Sequence, residues 1–300
     1  MSFSSETKAE LCREKLSHLE CVQAEAYGVL LFCNVYTPSE VRITTRSLDF
    51  AQRLPKLFHK AFGVKFDRVP EEKAGKGKLI FGITEPDKLE KIINILGYDV
   101  RQLTALHVNF GLLEEDCCRT AFLRGAFLAG GSVTDPEKRY HLELATSHVP
   151  ASREVQALME EMGFLPRTIR RGADALLYFK QSEHIEDFLT KIGAPAAAMD
   201  IMTAKVDKEI RNGANRAMNC DMANVNKTLD AAQEQMSAIE RLRGSARWDR
   251  LPEKLRQTAE LRLEYPELSL MQLAEKCDPP VTKSCMNHRM RKLMEEAKEL

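Results

Sequence analysis

The feature that most constrains the fold is an internal duplication of the first two-thirds of the chain. A short apolar helix containing one glycine is predicted at 27–32 and again at 122–129. Each of these helices is followed, in the same order, by alternating strand patterns, an amphipathic helix, strands around a glycine turn and a closing helix. Equivalent elements of the two copies are about 97–103 residues apart. Two such copies predict one pseudo-symmetric α+β domain of αββαββα repeats. The alternative is that two α/β stretches are alike by chance.

The duplication sets the predicted domain boundaries. The domain covers 1–195, with copies at about 1–100 and 115–195. The predicted elements of the first copy are a strand at 41–45, a helix at 48–62, strands at 64–69 and 79–83, and a helix at 88–96. Those of the second are a strand at 140–145, a helix at 154–162, strands at 168–170 and 175–179, and a helix at 185–192.

Residues 196–245 form a predicted helical connector, since no proline follows Pro195 in this stretch. Apolar residues recur there at helical spacing: Val225, Leu229, Ala232, Met236 and Ile239. A stripe of asparagines precedes and overlaps them: Asn212, Asn215, Asn219 and Asn226. Because asparagine is a poor helix former, the stripe indicates either DNA contacts, aided by Arg216 and Lys227, or caps and interhelical hydrogen bonds.

Residues 246–300 predict a small all-α domain. A first helix, 252–265, is followed by a Ser269–Gln272 capping box that opens a short helix at 270–277. Asp278-Pro279-Pro280 ends that helix, and Thr282 or Ser284 can cap a third helix running to about Ala297. A short helix, a tight turn and a basic helix are typical of a helix-turn-helix.

The third helix has two faces. Residues predicted to be buried recur at helical spacing: Met286, Met290, Leu293 and Ala297. Residues 281–292 contain four Lys or Arg and no acid. We expect Lys283, Ser284, Asn287 and Arg291 to read bases of double-stranded DNA, and His288, Arg289 and Lys292 to lie nearer phosphates. The alternative is a charged, solvated three-helix cap.

Composition narrows the class of protein. Lys and Arg number 44 and Asp and Glu 44, which excludes a uniformly basic coating protein. Since no apolar run approaches about 18 residues and 1–20 has no apolar stretch, we expect neither a membrane span nor a signal peptide. The eight cysteines include no C-x-x-C pair, and Cys117 and Cys118 are adjacent. We therefore expect reduced thiols in a cytoplasmic protein. We also expect no metal, cofactor or small-molecule substrate.

Residues 123–131 resemble the LAGLIDADG motif of homing endonucleases, and 26–34 resemble it more weakly. Together with the C-terminal segments 278–284 and 287–292 and the connector segments 216–221 and 223–228, the whole chain resembles the WhiA family of sporulation and cell-division regulators. The resemblance implies that the two motif helices pack through small residues, here Gly28, Gly125 and Ala129. It also implies sheets that form a saddle over DNA, and roles in transcription, chromosome segregation and, in sporulating hosts, sporulation.

The departures from the endonuclease motif concern the metal-binding acids. Cys33 and Gly130 stand where that motif ends in an acid, and neither side chain suits Mg²⁺. We therefore expect a regulator that does not cleave DNA, and the rival is a divergent nuclease using Asp135 or Glu143. Asp135 is more simply a turn residue before Pro136.

The predicted saddle carries basic residues on or near its strands. They are Arg42, Lys65, Arg68, Lys73, Lys76 and Lys78 in the first copy and Arg139, Arg167, Arg170 and Arg171 in the second. Three uses remain open: binding DNA phosphates, protecting exposed sheet edges against aggregation, or docking a protein partner while only the C-terminal domain binds DNA.

Overall fold

The computed structural model describes residues 2–70, 77–98 and 106–300. The chain divides into two compact units, Met1–Lys208 and Glu209–Leu300. The first unit contains both halves of the duplication, and the second contains the C-terminal helices. The predicted α+β class, with a helical C-terminal domain, is confirmed.

The first half of the duplication combines helices with a small antiparallel sheet. Its elements are α1 (Phe3–Leu11), α2 (Leu19–Leu31), β1 (Val35–Tyr36), β2 (Val41–Thr45), α3 (Leu48–Phe62), β3 (Leu79–Ile83) and α4 (Pro86–Ile95). Within the described residues the sheet order is β1-β2-β3. Val41 and Ile43 of β2 face the core while Arg42 is exposed, as expected for a sheet with one open face.

The second half repeats this order with a more complete sheet. Its elements are α5 (Asp116–Gly130), β4 (Gly131–Val133), β5 (Leu142–Thr146), α6 (Val149–Glu161), β6 (Arg167–Arg171), β7 (Asp174–Phe179) and α7 (Ser182–Ile192). The sheet order is β4-β5-β7-β6, with all neighbours antiparallel. The extra strand β6 lies at the sheet edge.

The strand predicted at 64–69 is wrong. This segment pairs with β3 only through an isolated bridge between Arg68 and Gly82. The Asp67 carboxylate instead accepts hydrogen bonds from the Thr84 amide (2.6 Å) and the Glu85 amide (2.9 Å), and it pairs with Lys88. The segment therefore helps to satisfy the amides that precede α4 and does not extend the ladder.

Helices α2 and α5 pack at the centre of the first unit with their backbones in close contact. A Cβ atom added to Gly28 would lie 2.0 Å from the Phe122 carbonyl oxygen. One added to Gly125 would lie 2.0 Å from the Glu25 carbonyl oxygen. Because a side chain needs more space than this, only glycine permits the two helices to approach so closely.

A buried ion cluster lies beside this helix pair. The Glu25 carboxylate accepts two hydrogen bonds from Arg53, at 2.6 and 2.9 Å, and one from Arg124 at 3.3 Å. Arg124 also donates to the Ile192 carbonyl at 2.7 Å. Because Glu25 and Arg53 are almost fully buried, their charges are stabilised mainly by each other and by these bonds. The cluster ties together α2, α3, α5 and the end of α7.

Helix α8 (Pro195–Arg243) follows α7 and extends from the first unit into the second. Near its start, Ala197, Ala198 and Ile201 belong to the core of the first unit. Of the apolar residues predicted at 225–239, Ala232 and Ile239 are buried, but Val225 and Leu229 are exposed. The predicted apolar face is therefore covered only in its later part.

Three further helices complete the second unit: α9 (Glu253–Glu264), α10 (Leu270–Lys276) and α11 (Lys283–Lys298). The end of α8 packs with α9 and α11 around Ile239, Leu242, Ala259 and Leu293. A smaller cluster joins Leu273 and Ala274 of α10 to Met286 of α11. Among the described helices of both units, none is long and apolar enough to cross a membrane.

The contact between α2 and α5 predicts a large cost for adding one methyl group. We expect Gly28→Ala and Gly125→Ala each to lower the free energy of unfolding of the first unit by about 3 kcal/mol or more, the upper range for overpacking. Gly213→Ala is the control, because its Cβ would meet nothing within 4 Å and the change should add up to about 1 kcal/mol through helix propensity. Denaturant unfolding followed by circular dichroism measures this, and equal stability of all three variants would contradict the packing.

Asp67 predicts a specific loss of stability in acid. Partial burial opposes ionisation, but the hydrogen bonds from Lys88, Thr84 and Glu85 outweigh it and hold the pKa of Asp67 at about 2, below its usual 3.8. A lowered folded-state pKa stabilises the fold above pH 3.8, and this contribution disappears as the pH falls toward 2. The melting temperature of wild type should therefore fall more steeply than that of Asp67→Asn between about pH 4 and pH 2. Parallel curves would refute the assignment.

Candidate nucleic-acid interface

Helix α11 is fixed by a cap at its start and an apolar stripe along its length. The Thr282 hydroxyl accepts a hydrogen bond from the Cys285 amide at 3.2 Å, which satisfies one free amide of the first turn. The predicted buried face is confirmed, since Met286, Met290, Leu293 and Ala297 are all 2% exposed or less. The opposite face is consequently held outward by the packing.

Helix α10 is positioned by the predicted capping box, which is confirmed. The Ser269 hydroxyl accepts from the Gln272 amide, and the Gln272 side chain accepts from the Ser269 amide at 2.9 Å. The Val281 amide donates to the Ala274 carbonyl at 3.0 Å and closes the connection to α11. That connection, 277–282, is longer than the tight turn predicted, because Pro279 and Pro280 cannot continue a helix and Thr282 must be extended to cap the next one.

Arg262 has a structural role that sequence reasoning missed. The residue is 2% exposed, and its guanidinium donates to the carbonyls of Leu268 (2.6 Å), Tyr265 (3.4 Å) and Pro266 (3.4 Å). It therefore holds the loop between α9 and α10 in place. Nothing in the sequence pattern distinguishes it, because one arginine in a helix with many charges is normally solvated.

The outward face of α11 presents most of the residues predicted to contact DNA. Lys283, Ser284, Asn287, His288, Arg291 and Lys292 are exposed. Arg289 is only half-buried and lines a cavity with Lys254, Lys276 and Asp278, and none of the six exposed residues lines that cavity. In the described part of the chain, no carboxylate forms an ion pair with Lys283, Arg291 or Lys292, whereas Arg247 pairs with Glu299 at 2.8 Å. Positive charge on this face is thus available to a ligand.

The structure brings Lys227 and Lys283 together within the second unit. Both line one groove between α8 and α10, with Thr228, Arg262, Ser269 and Met271. Arg216 is exposed on an earlier part of α8 and does not line this groove. The predicted asparagine stripe is also exposed: Asn212, Asn215, Asn219 and Asn226. Lys227 is therefore a connector cation that shares a groove with Lys283 at the beginning of α11.

The ends of α2 and α5 differ from a metal-binding centre. A Cβ atom on Gly130 would lie 2.3 Å from the Ala145 carbonyl oxygen and 3.0 Å from that of Phe32. Ala129, which precedes it, is half-buried. The buried Cys33 thiol donates to the carbonyls of Leu30 (3.2 Å) and Val35 (3.0 Å), and burial raises its pKa to about 12. No side chain fits at the Gly130 position, and at Cys33 the thiol remains protonated near neutral pH.

The two acids considered as substitutes have other partners. The Asp135 carboxylate accepts from the Glu137 amide at 3.0 Å, as in a turn. Glu143 contacts Ser132 (3.4 Å), His141 (3.2 Å) and Arg171 (3.7 Å). Neither is part of a group of three metal-ligating side chains among the described residues, where Cys21, Cys117 and Cys118 form the group found.

Basic residues lie in rows on the open faces of the two sheets. Arg42 and Arg68 are both register partners of Gly82, so they project to the same face. In the second sheet Arg167 is paired with Tyr178, and Arg171 lies on the same face because side chains alternate along the strand. Arg170 has the opposite parity and projects toward the helix-covered side. Lys73 and Lys76 lie outside the described residues.

Two family models match this chain. The WhiA LAGLIDADG-like domain matches residues 119–211, and the WhiA C-terminal HTH domain matches residues 214–297. The chain is 33% identical over 308 residues to a probable cell division protein WhiA from Ruminiclostridium cellulolyticum, covering 100% of this chain and 98% of the relative. It is 35% identical over 317 residues to one from Alkaliphilus oremlandii, covering 100% and 98%.

Solved structures share the fold. Full-length DUF199/WhiA from Thermatoga maritima superposes with a TM-score of 0.59 at 24% identity, covering 100% of this chain and 99% of that chain. The N-terminal LAGLIDADG domain of DUF199/WhiA gives 0.50 at 21% identity, covering 64% and 90%. With relatives above 30% identity along its full length and both family domains in order, the chain belongs to the WhiA family.

Proposed function

We propose that this protein is a sequence-specific DNA-binding regulator that reads duplex DNA with the outward face of α11. The observation that carries the proposal is the exposed run of cations and amide and hydroxyl groups on that face, above a buried apolar stripe. Such a helix can enter the major groove while its other side stays in the protein core. The processes it serves are transcription, cell division, chromosome segregation and, in a sporulating host, sporulation, and its place is the nucleoid in the cytoplasm.

The residues of α11 have different proposed roles. Arg291 and Asn287 can each make two hydrogen bonds to one base, arginine to guanine and asparagine to adenine. Lys283 and Ser284, in the first turn, can reach base edges or phosphates. His288 and Lys292 contact phosphates, and Lys227 adds a further cation beside Lys283. The half-buried Arg289 is the weakest of the predicted contacts.

We propose that the protein does not cleave DNA. Cleavage by a divalent metal needs oxygen ligands that hold the ion and position water. The backbone around Gly130 leaves no space for a carboxylate, and the Cys33 thiol is engaged by two carbonyls. These observations favour regulation over a divergent nuclease activity.

The open sheet faces are a second candidate for DNA contact. Arg42 and Arg68 on one sheet, and Arg167 and Arg171 on the other, are exposed cations in register rows. We propose that they bind phosphates and so add salt-dependent affinity. The competing use is a docking platform for a protein partner, and the edge strand β6 with the exposed Ile169 supports that alternative.

The α11 assignment predicts different effects for a base contact and a phosphate contact. We expect Arg291→Ala to reduce discrimination at one base position by about 1–3 kcal/mol, and Lys292→Ala to weaken binding to all sequences alike and lower the salt slope by about 1. Lys298→Ala, on the same helix but in its last turn, is the control. Fluorescence anisotropy with selected genomic duplexes at several salt concentrations measures both effects.

The same assay on full-length protein tests the sheet faces. For a combined Arg68→Ala, Arg167→Ala and Arg171→Ala variant, the salt slope should fall by about 0.9 for each phosphate that is no longer neutralised. An unchanged slope would exclude phosphate contacts by these arginines and leave edge protection and protein docking as the uses of these faces. If Arg291→Ala and Lys292→Ala also left affinity, specificity and slope unchanged, the α11 interface would be wrong.

The crowding around Gly130 predicts that an acid cannot simply be restored there. We expect Gly130→Asp and Gly130→Ala both to destabilise the first unit by about 1–3 kcal/mol or more, because the Cβ itself meets backbone oxygen. Neither should relax plasmid DNA in the presence of Mg²⁺. Gly213→Asp, at an open site, is the control for adding charge. A Gly130→Asp protein with the melting temperature of wild type would show that a side chain at position 130 is tolerated, contrary to this prediction.

A further inference from the structure

Three cysteines from the two halves of the duplication meet at the beginning of the motif helices. Cys21 lies in the first turn of α2, and Cys117 and Cys118 lie in the first turn of α5. The Cys21 sulfur is 3.3 Å from that of Cys117 and 3.8 Å from that of Cys118. The three sulfur atoms all lie within 4.8 Å of one another. This cluster is distant in sequence from the motif ends at Cys33 and Gly130.

The cluster follows from the pseudo-symmetry. Cys21 and Cys118 are 97 residues apart, the same separation as Gly28 and Gly125, so they occupy equivalent positions in the two repeats. Because α2 and α5 pack side by side in the same direction through those glycines, equivalent residues near their starts come together. Cys117 adds a third sulfur from the adjacent position. The expectation of no metal site relied on spacing within single segments, which does not detect ligands from two repeats.

The sulfur separations suit a soft cation. Zinc–sulfur bonds of about 2.3 Å in a tetrahedron place the sulfur atoms about 3.8 Å apart. The distances of 3.3 and 3.8 Å from the Cys21 sulfur are close to this value, and the Cys117 and Cys118 sulfur atoms lie within 4.8 Å of each other. The tetrahedral geometry therefore needs a change of about 1 Å or less in each separation. Thiolates are ligands that favour Zn²⁺ and Cu⁺ over Mg²⁺ or Ca²⁺.

Access to the cluster is open on one side. Cys118 is buried, Cys21 is half-buried and Cys117 is exposed. The fold therefore holds one side of the cluster, and the other side is open to solvent, where water or an added ligand can take a fourth position.

Charge balance decides when the thiols can act as ligands. In the metal-free protein, burial and the neighbouring sulfur atoms raise the pKa of Cys118 to about 12, and burial raises that of Cys21, so these thiols are protonated at neutral pH. A bound cation supplies the charge that stabilises thiolate, helped by the positive ends of the two helix dipoles. Each thiol that becomes a ligand releases its proton to solvent as its sulfur–metal bond forms.

We propose that Cys21, Cys117 and Cys118 bind one thiophilic cation, Zn²⁺ or Cu⁺, through three sulfur atoms. The bound ion links the beginnings of α2 and α5 and stabilises the first unit by mass action. This site is independent of the α11 interface, so a failure of one proposal leaves the other standing.

The test uses the full-length protein, reduced and stripped of metal, with Zn²⁺ alone and Cu⁺ alone as probes. Competition against a chromophoric chelator gives stoichiometry and affinity, and Co²⁺ substitution gives sulfur-to-metal charge-transfer bands if thiolates bind. The variants are Cys21→Ser and Cys117→Ser, neither of which is at a fully buried position. Cys220→Ser and Cys285→Ser, at cysteines outside the cluster, are the matched controls.

We expect one ion per chain, thiolate charge-transfer bands and a raised melting temperature with at least one of the two probes. Removing a residue that hydrogen-bonds a metal ligand typically weakens metal binding roughly 10–100-fold. Because each cluster variant removes a ligand itself, it should weaken metal binding by more than that, while both controls bind metal as wild type does. Comparing Zn²⁺ with Cu⁺ identifies the preferred ion. Absence of binding by both ions, or binding that survives in Cys21→Ser and Cys117→Ser, would overturn the proposal. Circular dichroism of the variants confirms that they fold.

Discussion

The close contact between α2 and α5 is the constraint on which the first unit depends. Two glycines, Gly28 and Gly125, bring helix backbone against helix backbone, and the other elements are arranged around that contact. The Glu25–Arg53–Arg124 cluster is buried at one side of it. The same contact brings the cysteines of both repeats together at one end of the helix pair, and Gly130 is crowded at the other. One packing arrangement therefore determines the structure at both ends of the helix pair.

The second unit is organised by a different principle. Its last three helices, α9 to α11, have 7 to 16 residues and are rich in charge, and their positions depend on polar contacts at the helix ends as much as on apolar burial. Thr282 caps α11, Ser269 and Gln272 cap α10, and Arg262 holds the loop between α9 and α10 by its carbonyls. Since the methionines of α11 are buried beneath, the polar residues above them are held on a rigid element. Rigid presentation reduces the ordering cost of binding, which favours recognition of one groove geometry.

Local periodicity and caps could be predicted from the sequence. The strand at 41–45, the helix at 48–62, the capping box and the buried face of α11 all follow from residues close together in the chain. Prediction failed where a contact with a residue distant in the sequence determines the local structure. The 64–69 segment has a strand composition, but Asp67 bonds to the amides before α4 and prevents a regular ladder. The burial of Arg262 and the meeting of Cys21 with Cys117 and Cys118 could not be predicted for the same reason, since burial and proximity come from the fold.

Gly130 limits which substitutions the first unit can tolerate at the end of α5. Every glycine codon becomes an acidic codon by a single base change, GGU and GGC to aspartate and GGA and GGG to glutamate, so an acid at position 130 is one mutation away. Here the Ala145 and Phe32 carbonyl oxygens occupy the space that a side chain would need. Such a mutant would first disturb the domain that carries it. An acid at position 130 therefore requires further changes in the backbone around it, and a single replacement at this codon does not provide them.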